Sequence, residues 1–181
     1  MGENVLFEHI VYSTAIAIIA GMIYSRRTGR DPSWIIVLCA YVPDLDIIAD
    51  AAFKKIGITV LIYGNPIEHG YFHNIIMLLL FAFSAALLLQ MGGIRPIDSF
   101  IFAGIGFGAH LFEDVLVFNP GYSFFWPVSS QKFGIGIVEY ESDLFGIANS
   151  EILAFGLISL ILSASFRIWY ERNRIKKKLL V

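Results

Sequence analysis

Five long apolar runs constrain this chain more than any other feature of its sequence. The runs cover residues 5–24, 34–53, 75–91, 97–118 and 152–169. Each is close to the roughly 20 residues that an α-helix needs to cross the hydrocarbon core of a bilayer. The chain is 57% hydrophobic with a mean hydropathy of +0.71, too apolar for an ordinary soluble domain. We therefore predict an all-α fold: a polytopic membrane helix bundle of about five transmembrane helices, forming one domain over residues 1–181.

The segments between these runs carry turn and charge signals. The sequence "SRRTGRDPS" follows the first run, and "GGIRP" separates the third from the fourth. The longest connection, residues 119–150, is rich in glycine, aromatic and acidic residues. We predict an ordered loop or an interfacial re-entrant segment there. The aromatic cluster around Trp126 is typical of a membrane–water interface.

The basic residues predict the orientation of the bundle, because cytoplasmic loops carry an excess of Lys and Arg. With five spans, one side of the membrane receives Arg26, Arg27, Arg30, Arg95, Arg167, Arg172, Arg174, Lys176, Lys177 and Lys178, and the other side receives Lys54, Lys55 and Lys132. We therefore expect a multi-pass protein of the cytoplasmic membrane, with the N-terminus and the 119–150 loop outside and the basic tail, 171–181, in the cytoplasm. Basic residues beside a membrane helix are expected for topology alone, so we predict no nucleic-acid partner.

The ionisable residues of the predicted spans gather at one depth. With this topology, the outer half of the bundle receives His9, His69, His73, His110, Asp44, Asp46, Asp50 and Asp114. His69 and His73 are four positions apart, as are His110 and Asp114, so each pair shares one helix face and can reach one ion. Pro43 lacks an amide hydrogen, and we expect it to break or kink the second span and turn the following aspartates into the bundle.

The cost of placing these carboxylates in a membrane predicts a bound metal ion. An ionised Asp at the centre of a membrane helix costs about 2.5–3.5 kcal/mol. These stretches contain no Lys or Arg to neutralise the charge, whereas a divalent cation neutralises it. Imidazole and carboxylate ligands suit zinc first, with manganese or iron as alternatives, and the absence of a thiolate argues against copper(I). We predict one or two ions.

Simpler explanations exist for several of these residues taken one at a time. A histidine such as His9 is most often a hydrogen-bonded core residue, and Asp44 is well placed to cap the following helix. Asp50 and Glu113 have a simpler interpretation as side chains that face water. Glu68 suits the helix dipole at the start of the third span. None of these explanations accounts for the convergence of the whole set at one depth.

At these residues the chain resembles a known family, the YdjM-like membrane-bound, metal-dependent hydrolases. The matching motifs are the early His9, "PDLD" at 43–46, "HGYFHN" at 69–74, "HLFED" at 110–114 and Trp126-Pro127. The order and spacing of these motifs, over about residues 5–130, indicate the family more specifically than any single motif does. The resemblance implies a helical membrane protein that binds divalent metal.

One departure from the family pattern leaves two ligands open. The common form of the third motif reads like "HRGxTHS", and we align it on Gly70 and His73. In this alignment, Glu68 stands where the family motif has its first histidine, and His69 stands where the motif has arginine. Asn74 replaces its serine. His73 therefore carries over, while either His69 or Glu68 is a candidate for the further ligand.

The family is also distantly similar to the all-helical group of zinc-dependent phospholipases C and P1-type nucleases. That group holds a cluster of zinc ions and cuts phosphate esters. Its later histidine ligands have no counterpart here, because no histidine follows His110. The possible late ligands are Glu139, Glu141, Asp143 and Glu151, and nothing in the sequence singles one of them out.

Our leading hypothesis is a membrane-embedded hydrolase of a phosphate ester or lipid head group, acting through a metal-bound water at the outer-leaflet side. The hypothetical metal ligands are His9, His73, His110 and Asp114, with Asp46 or Asp44 and with His69 in addition. One of Asp44 and Asp46 would bind metal while the other acts as general base. Trp126 and Asn74 would contact the substrate or the interface. The partners expected are membrane lipid and a lipid or phosphodiester substrate.

Two alternatives belong to other functional classes. A divalent-metal transporter or sensor also uses intramembrane His and Asp. A conducting path needs polar residues in both halves of the membrane, and the inner half offers little beyond Ser13, Thr14, Ser84 and Ser163. The other alternative is a non-catalytic protein whose metal staples its helices together. It predicts that metal removal unfolds the bundle and that no substrate exists.

Overall fold

The computed structural model describes residues 6–59, 61–62, 65–66, 70–117, 121–137 and 150–179. The helices in these ranges are α1 (Leu6–Thr28), α2 (Trp34–Cys39), α3 (Leu45–Lys55), α4 (Ile75–Gln90), α5 (Pro96–Val117) and α6 (Ser150–Leu179). Between α3 and α4, the two-residue strands β1 (Leu61–Ile62) and β2 (Asn65–Pro66) form a short antiparallel hairpin. The predicted all-α fold is confirmed for the described residues.

The second apolar run does not form one helix. It divides into α2, of 6 residues, and α3, of 11 residues. Pro43 is buried in the break between them, as its missing amide hydrogen predicts. At 1.5 Å per residue these helices are about 9 and 17 Å long, far short of the roughly 30 Å hydrocarbon core. The predicted break at Pro43 is therefore confirmed, and neither α2 nor α3 spans a bilayer by itself.

Within the described residues, two helices are long and apolar enough to cross a bilayer: Pro96–Leu116 in α5 and Leu153–Ile175 in α6. The apolar α4 has 16 residues and is about 24 Å long. Helix α1 has 23 residues and carries Arg26 and Arg27 in its last turn. Among the described residues, the structure thus supports two spanning helices rather than the five predicted.

The core lies where α1, α2, α4 and α5 meet. Its buried side chains are Ala17, Ile35, Ile36, Ala82, Phe102 and Ala103. Small side chains let the helices approach closely, and Gly106 is the extreme case. A Cβ atom at Gly106 would lie 2.3 Å from the carbonyl oxygen of Ile36. A second buried cluster, Phe107, Leu111 and Phe124, continues this core towards the end of α5.

Helices α1 and α6 run parallel to each other. The ring of Tyr12 lies 6.4 Å from that of Phe155 near the start of both helices, and the guanidinium of Arg26 lies 5.8 Å from the ring centre of Tyr170 near their ends. The basic residues that follow Tyr170 therefore share one end of the bundle with those at the end of α1.

Asp98, in the first turn of α5, lies at this basic end. It is 1% exposed, accepts a hydrogen bond from the Tyr24 hydroxyl and forms an ion pair with Arg30, whose Nε is 3.1 Å away. His110 and Asp114 lie near the other end of α5, with Asp114 about 24 Å from Asp98 along the helix axis. His110 and Asp114 thus lie at the opposite end of the bundle from the basic residues.

The described part of the segment after α5, residues 121–137, is ordered against the helices. It returns to the end of α5 through hydrogen bonds from Ile135 N–H to Val115 O (2.7 Å) and from Ile137 N–H to Leu116 O (2.8 Å). It also reaches the start of α4, where Ile75 N–H donates to Phe124 O at 3.0 Å. These contacts place Tyr122 beside the residues that precede α4.

Candidate metal centre

Two buried histidines form the centre of the site. His110 lies on α5 and His73 lies just before α4, and both are 1% exposed. Their Nε2 atoms are 3.2 Å apart. The Nδ1 of His110 lies 2.7 Å from the carbonyl oxygen of Ala40, in the break between α2 and α3. A carbonyl only accepts, so this Nδ1 donates, and a neutral His110 directs the lone pair of Nε2 towards His73.

Asp44 completes a triangle of ligand atoms with the two histidines. It occupies the N-cap position of α3, but its side chain makes no capping hydrogen bond. Its Oδ1 lies 3.5 Å from each Nε2 atom instead. A tetrahedral zinc ion with bonds of about 2.0–2.1 Å has ligand atoms about 3.3–3.4 Å apart. The three atoms therefore have the spacing of a divalent-metal site, and the ligand types fit zinc, manganese or iron.

Asp114 lies beside the edge of this triangle that joins the two Nε2 atoms. Its Oδ2 is 3.4 Å from the Nε2 of His73 and 3.4 Å from that of His110. The spacing of four residues places Asp114 and His110 on one face of α5, as the sequence predicts. Each Nε2 atom has one lone pair to donate to a metal. We therefore expect the two Nε2 atoms to bind the same single ion.

Asp46 lies on the other side of His73. Its Oδ2 is 3.7 Å from Nδ1 of His73 and accepts a hydrogen bond from the Gly70 N–H at 2.8 Å. Carboxylates in this position orient a metal-binding imidazole from behind. The two aspartates of "PDLD" thus lie on different sides of one histidine: Asp44 beside Nε2 and Asp46 beside Nδ1.

The carboxylates also act on the proton affinity of His73. Burial by itself lowers the pKa of His73, whereas hydrogen bonding to Asp44 and Asp46, together with the negative charges of Asp114 and Asp46, raises the pKa to about 9. A cluster that attracts a proton so strongly also attracts a divalent cation, and a bound cation has to displace that proton.

A cavity of about 320 Å³ lies beside the centre. Its lining residues are Gly70, Tyr71, Asn74, Tyr122, Ser123, Trp126, Ser130 and Lys132. Tyr122 lies between this cavity and His73, with the two ring centres 4.2 Å apart. Gly70 permits this contact, because its φ is +106° and a Cβ atom there would lie 2.6 Å from the Tyr122 ring.

Trp126 and Asn74, predicted to contact substrate or the interface, both line this cavity. Asn74 also has a structural role as the N-cap of α4. Its side chain accepts a hydrogen bond from Met77 N–H (2.9 Å) and donates one to Tyr71 O (2.7 Å). This capping satisfies two groups at the start of α4 and fixes the backbone next to His73.

Several predicted site residues lie outside the described part of the structure. Glu68 and His69 fall between β2 and the described residues that begin at Gly70, so the choice between them stays open. His9, Asp50 and Glu151 have helical backbones, in α1, α3 and α6, but their side chains are not described. The other late ligand candidates, Glu139, Glu141 and Asp143, also lie outside the described residues.

The sequence alone did not identify four contributors to this site: the Ala40 carbonyl, the Gly70 amide, Tyr122 and Lys132. The first two are backbone groups, whose role depends on the break before α3 and on a positive φ. Tyr122 belongs to the aromatic cluster around Trp126, whose composition predicts only a membrane interface. Lys132 could have been identified as a candidate from the sequence, because it is an isolated lysine on the predicted outer side of the membrane.

A comparison with protein families matches residues 5–174 to a family described as the YdjM inner membrane protein family. No curated protein matches the chain. No solved structure matches it either.

Proposed function

The chain belongs to the YdjM inner membrane protein family, and from this premise we propose that it is a membrane-embedded, metal-dependent hydrolase of a phosphate ester. The observation that carries the proposal is the triangle of Asp44 Oδ1, His73 Nε2 and His110 Nε2, with sides of 3.2–3.5 Å. We assign these residues as the metal ligands. Three protein ligands and an open position are the pattern of catalytic rather than structural zinc sites.

A divalent ion at this position, zinc by our assignment, supplies Lewis acidity that polarises a phosphoryl oxygen and makes water a stronger acid. The surrounding protein groups have two further roles, to position the imidazoles and to accept a proton. The Ala40 carbonyl holds the imidazole of His110 in position by accepting a hydrogen bond from its Nδ1, and Asp46 places a negative charge 3.7 Å from Nδ1 of His73. Asp114, at 3.4 Å from both Nε2 atoms, is the carboxylate that we assign as proton acceptor.

The neighbouring cavity supports an anionic substrate. Lys132 supplies a positive charge in its lining, and Ser123 and Ser130 supply hydroxyl groups. Trp126 and Tyr71 form an edge-to-face aromatic pair along the same cavity, with ring centres 6.4 Å apart. Phosphate next to an apolar group is the chemistry of a phospholipid head group or of another phosphodiester. We propose substrates of this class, with membrane lipid as the surrounding partner.

We also propose an orientation in the membrane. The basic ends of α1 and α6 would lie in the cytoplasm, because basic residues concentrate on that side of inner membrane proteins. The metal centre lies at the opposite end of α5 and would face the outer leaflet. We further propose a multi-pass topology in which α1, α4 and the broken segment α2–α3 also cross the membrane, because α1 ends at the basic end whereas His73, just before α4, lies at the opposite end.

The decisive experiment measures metal and turnover in the same preparations. The wild type in mild detergent should carry about one divalent ion per chain and release product from a phospholipid or a chromogenic phosphodiester. Asp44→Asn should lose the ion, whereas Asp114→Asn should keep it and lose turnover. Metal-loaded wild type with no turnover on any phosphodiester would refute the hydrolase. Metal loss in Asp114→Asn would move Asp114 into the ligand set.

One observation favours a second function, a structural metal that staples the helices. The ligand atoms come from separate segments of the chain, and both histidines are almost completely buried. A staple predicts that chelation lowers the melting temperature of the bundle strongly while no substrate is turned over. The hydrolase predicts loss of turnover on chelation and recovery when the metal is restored.

A further inference from the structure

A groove opens between α1 and α6 at the basic end of the bundle, far from the metal centre. Its volume is about 520 Å³, and we define this basic groove by its lining residues: Met22, Ile23, Arg26, Arg27, Phe166 and Tyr170. Its walls are apolar and aromatic, and two exposed arginines belong to its lining. The combination suits a ligand with an anionic head and an apolar body.

The two arginines of the groove are available for an external anion. The nearby carboxylates of described residues pair with other cations: Asp98 with Arg30, and both Asp31 and Glu171 with Arg167. Among the described residues, neither Arg26 nor Arg27 forms a salt bridge with a carboxylate. Adjacent guanidinium groups that no described carboxylate neutralises are strong binders of phosphate, because each can donate two parallel hydrogen bonds.

The position of the groove on α6 indicates where the anion would come from. The apolar stretch Leu153–Ile175 is almost entirely unburied, with Leu162, Phe166 and Trp169 exposed. These side chains fit contact with lipid, and the aromatic pair Phe166 and Trp169 is stacked with ring centres 5.8 Å apart. The groove lies where this stretch passes into a basic run, the depth at which aromatic residues meet lipid head groups.

We propose that the basic groove binds an acidic phospholipid of the membrane. Arg26 and Arg27 hold its phosphate, and its acyl chains lie along Ile23 and Phe166. The lipid then bridges the ends of α1 and α6, which are parallel and already in contact through Arg26 and Tyr170. This binding is independent of the proposed hydrolase, because the groove and the metal centre lie at opposite ends of the bundle.

The test compares lipids that differ only in head-group charge. The delipidated full chain is titrated with phosphatidylglycerol and with phosphatidylcholine of the same acyl chains, and retained lipid is counted by native mass spectrometry. The wild type should prefer phosphatidylglycerol by at least about tenfold, because both lipids carry a phosphate but the choline cation of phosphatidylcholine offsets its charge beside the two arginines. The double variant Arg26→Gln, Arg27→Gln should bind both lipids equally.

The matched control removes the same charge from the same end of the bundle. Arg172 and Arg174 are exposed and lie outside the groove, so Arg172→Gln, Arg174→Gln should keep the preference. Equal loss in both double variants, or no preference in the wild type, would overturn the proposal. So would equally effective competition by soluble glycerol phosphate, since it would mark a site for free phosphate. If the double variant is not monodisperse, the single variants replace it, and each should lose part of the preference.

Discussion

The Nε2 atoms of His73 and His110 lie 3.2 Å apart, with the Nδ1 of His110 held by the carbonyl oxygen of Ala40. When a neutral His73 carries its proton on Nδ1, on the side of Asp46, the two imidazoles direct their Nε2 lone pairs at each other, which is unfavourable in a buried site. A proton or a cation between them removes the repulsion, and three carboxylates around the pair favour both. The relationship between these two atoms is therefore the strongest physical reason to expect a metal ion.

The first prediction concerns removal of one of these imidazoles. His110→Ala should reduce bound metal from about one ion per chain to near zero, because only Asp44 and His73 of the three assigned ligands remain. Elemental analysis of purified protein measures the change. Phe112→Ala is the control, since Phe112 is on the same helix and 64% exposed. Full metal content in His110→Ala would contradict the assigned site.

The second prediction separates a ligand from a residue that orients a ligand. Asp46→Asn retains an oxygen that can accept the Gly70 hydrogen bond but removes the charge behind His73. Metal affinity should fall by about 10–100-fold without being abolished. Competition with a chelator of known affinity measures the dissociation constant. Complete loss of metal, as in Asp44→Asn, would show that Asp46 is itself a ligand.

The third prediction concerns the contact between α2 and α5. Gly106→Ala should destabilise the bundle by about 1–3 kcal/mol, because its Cβ would overlap the Ile36 carbonyl oxygen. Gly104→Ala is the matched control on the same helix, where the nearest atom, Cδ2 of Leu78, is 4.0 Å away. It should be neutral or stabilising by up to about 1 kcal/mol. Denaturant unfolding in detergent measures both, and equal effects would argue against close packing at Gly106.

The fourth prediction tests whether Tyr122 supports the metal centre. Gly70→Ala should displace the Tyr122 ring, with which its Cβ would overlap, and weaken metal binding by about tenfold or more. Gly57→Ala imposes a similar backbone strain, since its φ is also positive, but no atom lies near the added Cβ. The control should therefore keep wild-type metal affinity. Metal dissociation constants of the two variants decide the question, and equal values would exclude a role for the Tyr122 contact.

Much of the site was predictable because the chemistry of its residues conflicts with their surroundings. Carboxylates and histidines in an apolar sequence need a shared partner, and the structure brings Asp44, His73 and His110 together. The i,i+4 spacing of His110 and Asp114 was predictable for the same reason. The different positions of Asp44 and Asp46 around His73 were not predictable, because they depend on the path of the backbone through the break at Pro43.

The number of spanning helices was less predictable than the number of apolar runs. Hydropathy counts apolar residues but does not report where a proline divides a run into two short helices, as happens between α2 and α3. The length of α4 is limited by its Asn74 cap at one end and by Gly92 and Gly93 after the other. Local backbone chemistry thus set the helix boundaries within runs that hydropathy alone treats as continuous.

The hydrogen bond between His110 and Ala40 has a consequence for the order in which the protein assembles. It joins residues 70 positions apart, and the ligands come from three separate segments, with His73 and His110 37 positions apart. Closing such distances costs entropy that only completed helix packing repays. A chain that has entered the membrane but has not yet docked its helices therefore has no metal site. Metal uptake would report the last stage of maturation, and excess metal would favour the finished molecule over its precursors.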